Sequence, residues 1–479
     1  MTSAFAGYPA PFVYDEPDGK KTQQLLWGDY VKLGDEVRGE WQQVAKARNE
    51  SGWMRKADLQ KERLLEINFV DVGQGDGCFV VTPGDKRILI DAGLRDNMFW
   101  YLRWRFNLRQ HPDNVIDIEH AIISHPDSDH YQGFDAILDS PQLSIGTLHH
   151  NGLIDHEGNQ RLGPTTTVGR RKFYTDLMTT KTKLRRSLTG IDPGKKYPAL
   201  LRKALKLDRV GDIQMLSSLD SFLPGYASGD LTIQVLAPVP ETIERKPALR
   251  RLGIDGVTKN GHSVVLLLTY RGVRFLLGGD LNREAMEYLL EHYEGQGSEE
   301  GDGTEHSVFR ADVAKACHHG SADVSDSFVA GVNAIATVIS SGDNEPYAHP
   351  RPDALGLIGK HGRGDRPLIF STELARSPSE AGQGPERLRT TRAAALDAAR
   401  VEINEGNAST EEQPGHVAAA YQRAIAVYGM INVRSDGERV IIAQKLERDS
   451  TAGKQFDVSC LEPDDEGNLV YNPKPKKAG

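Results

Sequence analysis

The densest chemistry in the chain is the peptide Ser124-His125-Pro126-Asp127-Ser128-Asp129-His130-Tyr131-Gln132-Gly133. It sets His125, Asp127, Asp129 and His130 directly after the apolar run Ala121-Ile122-Ile123. A strand end places the side chains of such a loop at one rim of a sheet. His-x-Asp-x-Asp-His spacing then lets alternate residues converge on two adjacent cations. Helix capping would account for one or two of the polar residues, but not for two histidines bracketing two carboxylates.

The elements needed to hold this loop are strands. From Leu64 onward the pieces EINFVDV, CFVV, RILIDAG and HAIISH are short, β-rich and ended by Gly, Asp or Pro. A second set follows: LTIQVLAP, SVVLLLTYRG, VRFLLGGD, a helix NREAMEYLLEHY, then DVAKACHHG, ATVISSG and PLIFST. Two such sets describe the halves of a sandwich. Residues 377–424 read as a helical insertion, residues 427–446 as a closing hairpin, and the stretch from Tyr471 as a tail without structure. Residues 1–22 lack periodicity and read as a flexible arm. Between 23 and 62, short strand-like pieces around Trp27, Tyr30, Trp41 and Trp53 are separated by Gly/Asp/Asn turns and predict a small all-β barrel.

Composition narrows the class. The longest apolar run, Val264 to Leu268, is far below the ~20 residues that span a bilayer. The N-terminus lacks the basic start and continuous apolar stretch of a secretory signal, so a cytoplasmic protein with no membrane partner is expected. Three scattered cysteines (Cys78, Cys317 and Cys460) build neither a disulfide framework nor a Cys-x-x-Cys metal site. The formal charge is −9, yet Arg170 to Arg209 holds 13 Lys/Arg against Asp176, Asp192 and Asp208, a net of +10. This segment lies inside an insertion of about 151–215. A basic stripe on an acidic body suits a polyanion, so Arg170, Arg171, Lys172, Lys181, Lys183, Arg185 and Arg186 are candidate nucleic-acid contacts. The alternative is an ordinary solvated helical surface. Phe173, Tyr174 and Tyr197 in the same segment are candidates for stacking bases or, more simply, for packing the insertion.

With these motifs in order, FVDVGQGDG (Phe69 to Gly77), LIDAG (Leu89 to Gly93), SHPDSDHYQG, LLGGD (Leu276 to Asp280), CHHGS (Cys317 to Ser321) and YAHP (Tyr347 to Pro350), the chain resembles the metallo-beta-lactamase superfamily. Within it, the resemblance is to the hydrolase domain of ComEC-type competence proteins. It implies an α+β fold, a four-layered αββα sandwich over 63–479 with a two-metal site at one edge. The segment 23–62 loosely resembles a bacterial Src-homology-3-like domain, which implies a possible protein partner for the barrel.

The resemblance implies that His125 and Asp127 belong to one metal site and Asp129 and His130 to the second, with Asp280 bridging. A histidine of the His-His-Gly step completes the second site, and either His318 or His319 can serve, since successive residues at a strand end point in opposite directions. The usual third histidine of the first site is not evident; His262 or Asn260 occupies its region. Asp71, Asp76 and Asp91, in turns after strands, are candidates for holding the ligating histidines in one tautomer; turn capping is the alternative. Asp129 is expected to orient the attacking water, and His349 to contact the substrate phosphate or donate a proton. The aspartates favour Mn²⁺ relative to a His-rich site, while Zn²⁺ also accepts His and Asp.

The function expected from all this is a metal-dependent phosphodiesterase or nuclease acting on DNA through hydroxide activated by two divalent ions. The alternative enzyme is a small-molecule hydrolase of a phosphodiester, thioester or lactone, with the insertion as a lid. A scaffold with a relic metal site is a third reading, which the ordered ligand set opposes.

Overall fold

The structure is a computed structural model describing residues 3–45, 51–156, 161–296, 298–299, 305–342, 347–372, 429–446 and 453–475. Its centre is a pair of sheets. One holds ten strands in the order Val210–Met215, Leu143–His150, Ile116–Ile123, Arg87–Ala92, Gly77–Val81, Leu65–Phe69, Ile431–Ser435, Val440–Lys445, Phe456–Pro463 and Leu469–Asn472. The other holds six: Leu231–Ala237, Val265–Tyr270, Val273–Leu277, Val313–Lys315, Ala336–Ile339 and Leu368–Ser371. Strands such as Leu65–Phe69 and Gly77–Val81 are buried at every residue. This explains the continuous apolar run of Gly77–Val81, whereas Leu65–Phe69 alternates and must satisfy its buried Glu66 and Asn68, which meet the Arg105 side chain and the Phe79 carbonyl.

Three apolar layers hold the sandwich together. Ile67, Phe69, Val80 and Ile122 of the ten-stranded sheet meet Ile233, Leu266, Phe275 and Val338 of the six-stranded sheet in the central core. Outside the larger sheet, the helices Asn97–Arg105, Phe134–Asp139, Lys181–Leu188 and Lys196–Leu205 bury Met98, Phe134, Leu184 and Leu201 against it. Outside the smaller sheet, Arg283–His292 and Asp326–Val332 bury Met286, Leu289 and Phe328. This is the αββα architecture, and an all-β unit precedes it.

That N-terminal unit corrects the arm expected over residues 1–22. Ser3–Ala6, Phe12–Tyr14 and Lys21–Gln24 are strands of one seven-stranded sheet together with Tyr30–Arg38, Trp41–Ala45, Ser51–Arg55 and Leu59–Gln60. The first three are only three or four residues long, too short to show periodicity; Ser3–Ala6 and Phe12–Tyr14 are ordered by pairing with Tyr30–Arg38 and Ser51–Arg55, and Lys21–Gln24 by a hairpin with Phe12–Tyr14. The unit is also welded to the hydrolase sheets: Tyr8, Leu26 and Trp27 share a buried cluster with Ile441, Ala443 and Cys460. The Arg434 guanidinium, buried in this junction, donates to the Trp27 carbonyl at 2.7 Å and pairs with Asp29 at 2.8 Å.

Two further expectations change. The end of the basic insertion, Val210–Met215, is an edge strand of the main sheet, paired parallel with Leu143–His150. The tail is ordered as far as Leu469–Asn472, which pairs with Phe456–Pro463. The helical insertion expected over 377–424 lies outside the described residues. Phe173, Tyr174 and Tyr197 are all buried, so they pack the insertion and are closed to bases.

Candidate metal centre

The metal edge is built where the strands of both sheets end. Arg87–Ala92 delivers Asp91, Ile116–Ile123 runs into Ser124 and His125, and the short helix Ser128–Tyr131 carries Asp129 and His130. From the facing sheet, Val273–Leu277 leads to Asp280 and Val313–Lys315 to the turn Cys317–Gly320. Gly75 belongs here because a Cβ would lie 1.8 Å from the Asp129 carbonyl oxygen, and its φ of +105° is open to glycine alone in practice. Asp91, His318 and His319 have φ of 55°, 48° and 53°. Such left-handed backbone in non-glycine residues costs on the order of 1 kcal/mol each and clusters where geometry is imposed by a site.

Asp280 is the focus. Its Oδ2 lies 4.0 Å from His125 Nε2, 3.2 Å from His130 Nε2 and 3.1 Å from His319 Nε2. Four compact donor groups overlap here: His125, His130 and Asp280; Asp129, His130 and His319; Asp76, Asp280 and His319; and Asp76, Asp91 and His130. The three Nε2 atoms are buried and make no hydrogen bond. Each opposite nitrogen, by contrast, is engaged. His130 Nδ1 meets Asp91 Oδ2 at 2.8 Å, His319 Nδ1 meets the Ser340 carbonyl at 3.0 Å, and His125 Nδ1 meets Ser124 Oγ at 3.0 Å. An imidazole whose Nδ1–H is donated away presents a bare Nε2 lone pair, which is how a ligating histidine is oriented. Buried Nε2 atoms without partners, gathered around a carboxylate, fit a divalent cation.

The electrostatics agree. Burial alone would lower the His130 and His319 pKa values. The Asp280 carboxylate, with Asp91 beside His130 and Asp76 beside His319, overrides it and holds His130 well above the usual range and His319 up at about 10. Burial would likewise raise Asp76, but the Lys315 ammonium and His319 hold it down at about 2. A site that binds protons this strongly in its imidazoles is one where excess negative charge calls for a cation.

The structure sorts the sequence candidates. His125, Asp129, His130, Asp280 and His319 come together, and of the His-His pair it is His319 that faces the cluster. His318, in none of the donor groups, lies beside His349, ring centroids 5.7 Å apart. His349 stands 6.2 Å from the His319 ring and is half-buried, at the mouth of the site. Asp127 is at the edge: one oxygen lies 3.6 Å from His125 Nε2, while the other pairs with Lys259. His262 is a correction. It is buried with its Nε2 donating to the Arg250 carbonyl at 2.7 Å, and is in none of the donor groups. Its neighbours Lys259 and Asn260 face the site instead; the Asn260 amide, oriented to satisfy its partners, donates to Asp127 Oδ2 at 2.8 Å. Asp91 lies against His130 at 2.8 Å and Asp76 against His319 at 3.2 Å, while Asp71 accepts from the Gly73 amide at 3.1 Å.

Four residues here were not singled out from sequence. Ser124 Oγ donates to Asp91 at 2.6 Å, and Ser263 Oγ supports the Asp280 amide at 3.0 Å. Lys315 is buried with its ammonium on Asp76 and on the Gly279 carbonyl at 2.8 Å. Lys259 pairs with Asp127. A lysine inside an otherwise apolar strand, as in Val313–Lys315, was the available signal, since a buried ammonium requires a partner. Among the expected nucleic-acid contacts, Lys181 donates to the Val210 and Gly211 carbonyls and Lys183 pairs with Asp176 at 3.0 Å. Arg170, Arg171, Lys172, Arg185 and Arg186 are exposed.

Residues 76–173 match the family model of the metallo-beta-lactamase superfamily, and the αββα sandwich with a His/Asp donor cluster at its edge agrees with a metal-dependent hydrolase of that kind. The chain is related to ComEC-type proteins: it is 23% identical over 312 residues to ComE operon protein 3 of Bacillus subtilis (strain 168), covering 62% of this chain and 31% of that relative. It thus spans less than a third of that protein's length. Similar solved structures include Zn²⁺-bound PqqB from Methylobacterium extorquens, at 11% identity over 62% of this chain and 85% of that one, with a TM-score of 0.32. Another is Igni18, a metallo hydrolase from the archaeon Ignicoccus hospitalis, at 10% identity over 65% and 95%, with a TM-score of 0.30. Among the described residues no helix is long and apolar enough to cross a membrane.

Proposed function

We propose that the protein is a phosphodiesterase that cuts nucleic acid, DNA in the first instance, with two divalent ions, Mn²⁺ or Zn²⁺, at the Asp280 edge. The observation that carries the reading is the convergence of three bare Nε2 atoms on Asp280, with Asp129 close enough to His319 to share a cation (3.7 Å). When bound, such a pair lowers the pKa of a water and polarises the phosphoryl oxygen. The chain's own residues do the rest. Asp91, Ser124 and Ser340 fix the imidazoles; Lys259, at the Asp127 rim, places a positive charge beside an incoming phosphate; His349 at the mouth is placed to give a proton to the departing oxygen.

The resemblance to ComEC-type hydrolase domains and the exposed cations of the insertion support nucleic acid as the substrate. The insertion's helices bury Leu184, Tyr197 and Leu201 in the main outer core. That makes them a fixed wall and argues against the lid a small-molecule enzyme would use. The test is cleavage of labelled single- and double-stranded DNA by purified protein with Mn²⁺ or Zn²⁺, beside an Asp129→Ala control. Metal-dependent cutting lost in the variant supports the nuclease. No cutting by protein shown to hold its metals would overturn it in favour of a small-molecule hydrolase.

A further inference from the structure

A small four-stranded sheet stands beside the metal edge, in the order Thr165–Val168, Arg171–Tyr174, Lys246–Arg250 and Glu241–Ile243. It joins two separate stretches of the chain, the basic insertion and the segment before Val265–Tyr270. Phe173 pairs with Arg250 and Tyr174 with Leu249. The Arg251 amide then donates to the Lys172 carbonyl at 2.8 Å, extending the ladder by a step. Lys172 is thereby set against Arg251 at one end of the sheet, where Arg170 and Arg171 also lie, in and beside the turn from Thr165–Val168. All four are exposed, and none is ion-paired among the described residues. Arg250 is different: it pairs with Glu241 at 2.8 Å and lies over the Tyr288 ring.

This end of the sheet is fastened to the catalytic rim. Arg251 leads through Ile254 into the helix Asp255–Gly261, which carries Lys259 to Asp127. Tyr174 donates to Asp255 at 3.1 Å at the start of that helix, and His262 donates to the Arg250 carbonyl just past its end. Lys259 lies five positions after Ile254 along the helix, a rise of about 7.5 Å. Ile254, 71% exposed, adds an apolar surface beside the cations. By contrast, much of the helical half of the insertion is spent on structure: Lys181 on carbonyls, Lys183 on Asp176, and Lys203 on Asp135 and Asp139 at 2.7 Å each.

We infer that the cluster Arg170, Arg171, Lys172 and Arg251 is the surface that holds the phosphate backbone of the substrate strand, with Lys259 as its last contact before the metal edge. This rests on the nuclease reading. Guanidinium and ammonium groups free of ion pairs and fixed on a paired sheet suit successive phosphates, which demand positive charge and hydrogen-bond donors; Arg251 keeps one donor, its Nε, on the Gly253 carbonyl at 2.8 Å. Arg245 and Lys246 lie at the opposite end of the same sheet, in and beside the turn that joins Glu241–Ile243 to Lys246–Arg250, and belong to no such cluster.

The experiment measures binding of a fluorescent 20-nucleotide single strand to the full chain in EDTA, by anisotropy across a salt series. The quadruple variant Arg170→Ala, Arg171→Ala, Lys172→Ala and Arg251→Ala should bind roughly tenfold or more weakly, with a salt slope shallower by about 2 to 3. The variant Arg245→Ala with Lys246→Ala should match the parent, and equal melting temperatures confirm that both fold. Unchanged affinity and slope in the quadruple variant, or equal losses in both variants, overturn the surface. If such a protein still cuts DNA, the nuclease reading survives and only the surface fails; a parent protein that neither binds nor cuts DNA overturns both.

Discussion

Asp91 Oδ2 lies 2.8 Å from His130 Nδ1, and through that contact a carboxylate on the far side of the imidazole from Asp280 decides which nitrogen His130 turns toward Asp280. The same carboxylate accepts from Ser124 Oγ at 2.6 Å, and its other oxygen accepts from the Ser124 amide at 2.7 Å. Asp91 thus ties the strand end to the helix that carries His130. Asp91→Asn keeps the shape but removes the charge that fixes the tautomer. Metal affinity should fall by about 10- to 100-fold. Competition with a chromophoric chelator reads this directly; an unchanged affinity would show that Asp91 is only a turn residue.

The adjacent histidines should behave unequally. His319 Nε2 is 3.1 Å from Asp280, whereas His318 is in none of the donor groups. His319→Ala should strip metal from the site, measured as metal per chain after dialysis, and abolish hydrolysis. His318→Ala should keep its metal. Equal metal loss in the two variants would contradict the assignment.

Lys315 and Asp76 form a buried ion pair, their side chains 5% and 7% exposed. Removing one partner of such a pair leaves a naked buried charge and costs about 3–5 kcal/mol. Lys315→Met should therefore destabilise the metal-free protein by that order in urea unfolding. The double variant Lys315→Met with Asp76→Asn should lose less than the sum of the two single changes. Additive losses would mean that the two groups do not depend on each other.

Three histidines away from the Asp280 cluster make the fold sensitive to acid. Burial lowers the His149 pKa to about 3 and those of His150 and His262 to about 4. In the unfolded chain each titrates near 6.5. Between those values the unfolded state binds protons that the native state refuses, so stability falls as pH drops from 6.5 toward 4. His130 and His319, raised by their carboxylates, work the other way: their contribution is complete below 6.5 and is lost only as pH climbs toward the folded value. They leave the acid window to the histidines that burial lowers, to which His120, His156 and His318 also belong. Metal-free protein should lose about 1–2 kcal/mol per buried histidine between pH 7 and pH 5 in urea melts; equal midpoints at the two pH values would rule this out.

Much of the candidate site is legible in the amino-acid sequence, because it is local. His125, Asp129 and His130 fall within one loop, and a strand followed by a tight turn leaves them little choice but to share a rim. The strands of the sandwich are legible for a related reason: strands buried on both faces are mostly apolar, as in Gly77–Val81. Residues 3–24 are not, since strands of three or four residues carry no period and exist only through distant partners.

The chain alone therefore determined the donor types, their spacing and the layered architecture that puts them at an edge. Tertiary structure decided which donors are used and who supports them. His319 was selected over His318 by a left-handed turn that aims only one ring at Asp280. His262 was withdrawn because Arg250 offers its ring a buried carbonyl. Lys259, Lys315, Ser263 and the Arg170–Arg251 cluster arrive from segments far apart in sequence. The apolar neighbours of Lys315 and the basic run at Arg170 are local signals, but which groups they meet is set only by the pairing of strands and the need to satisfy buried charge.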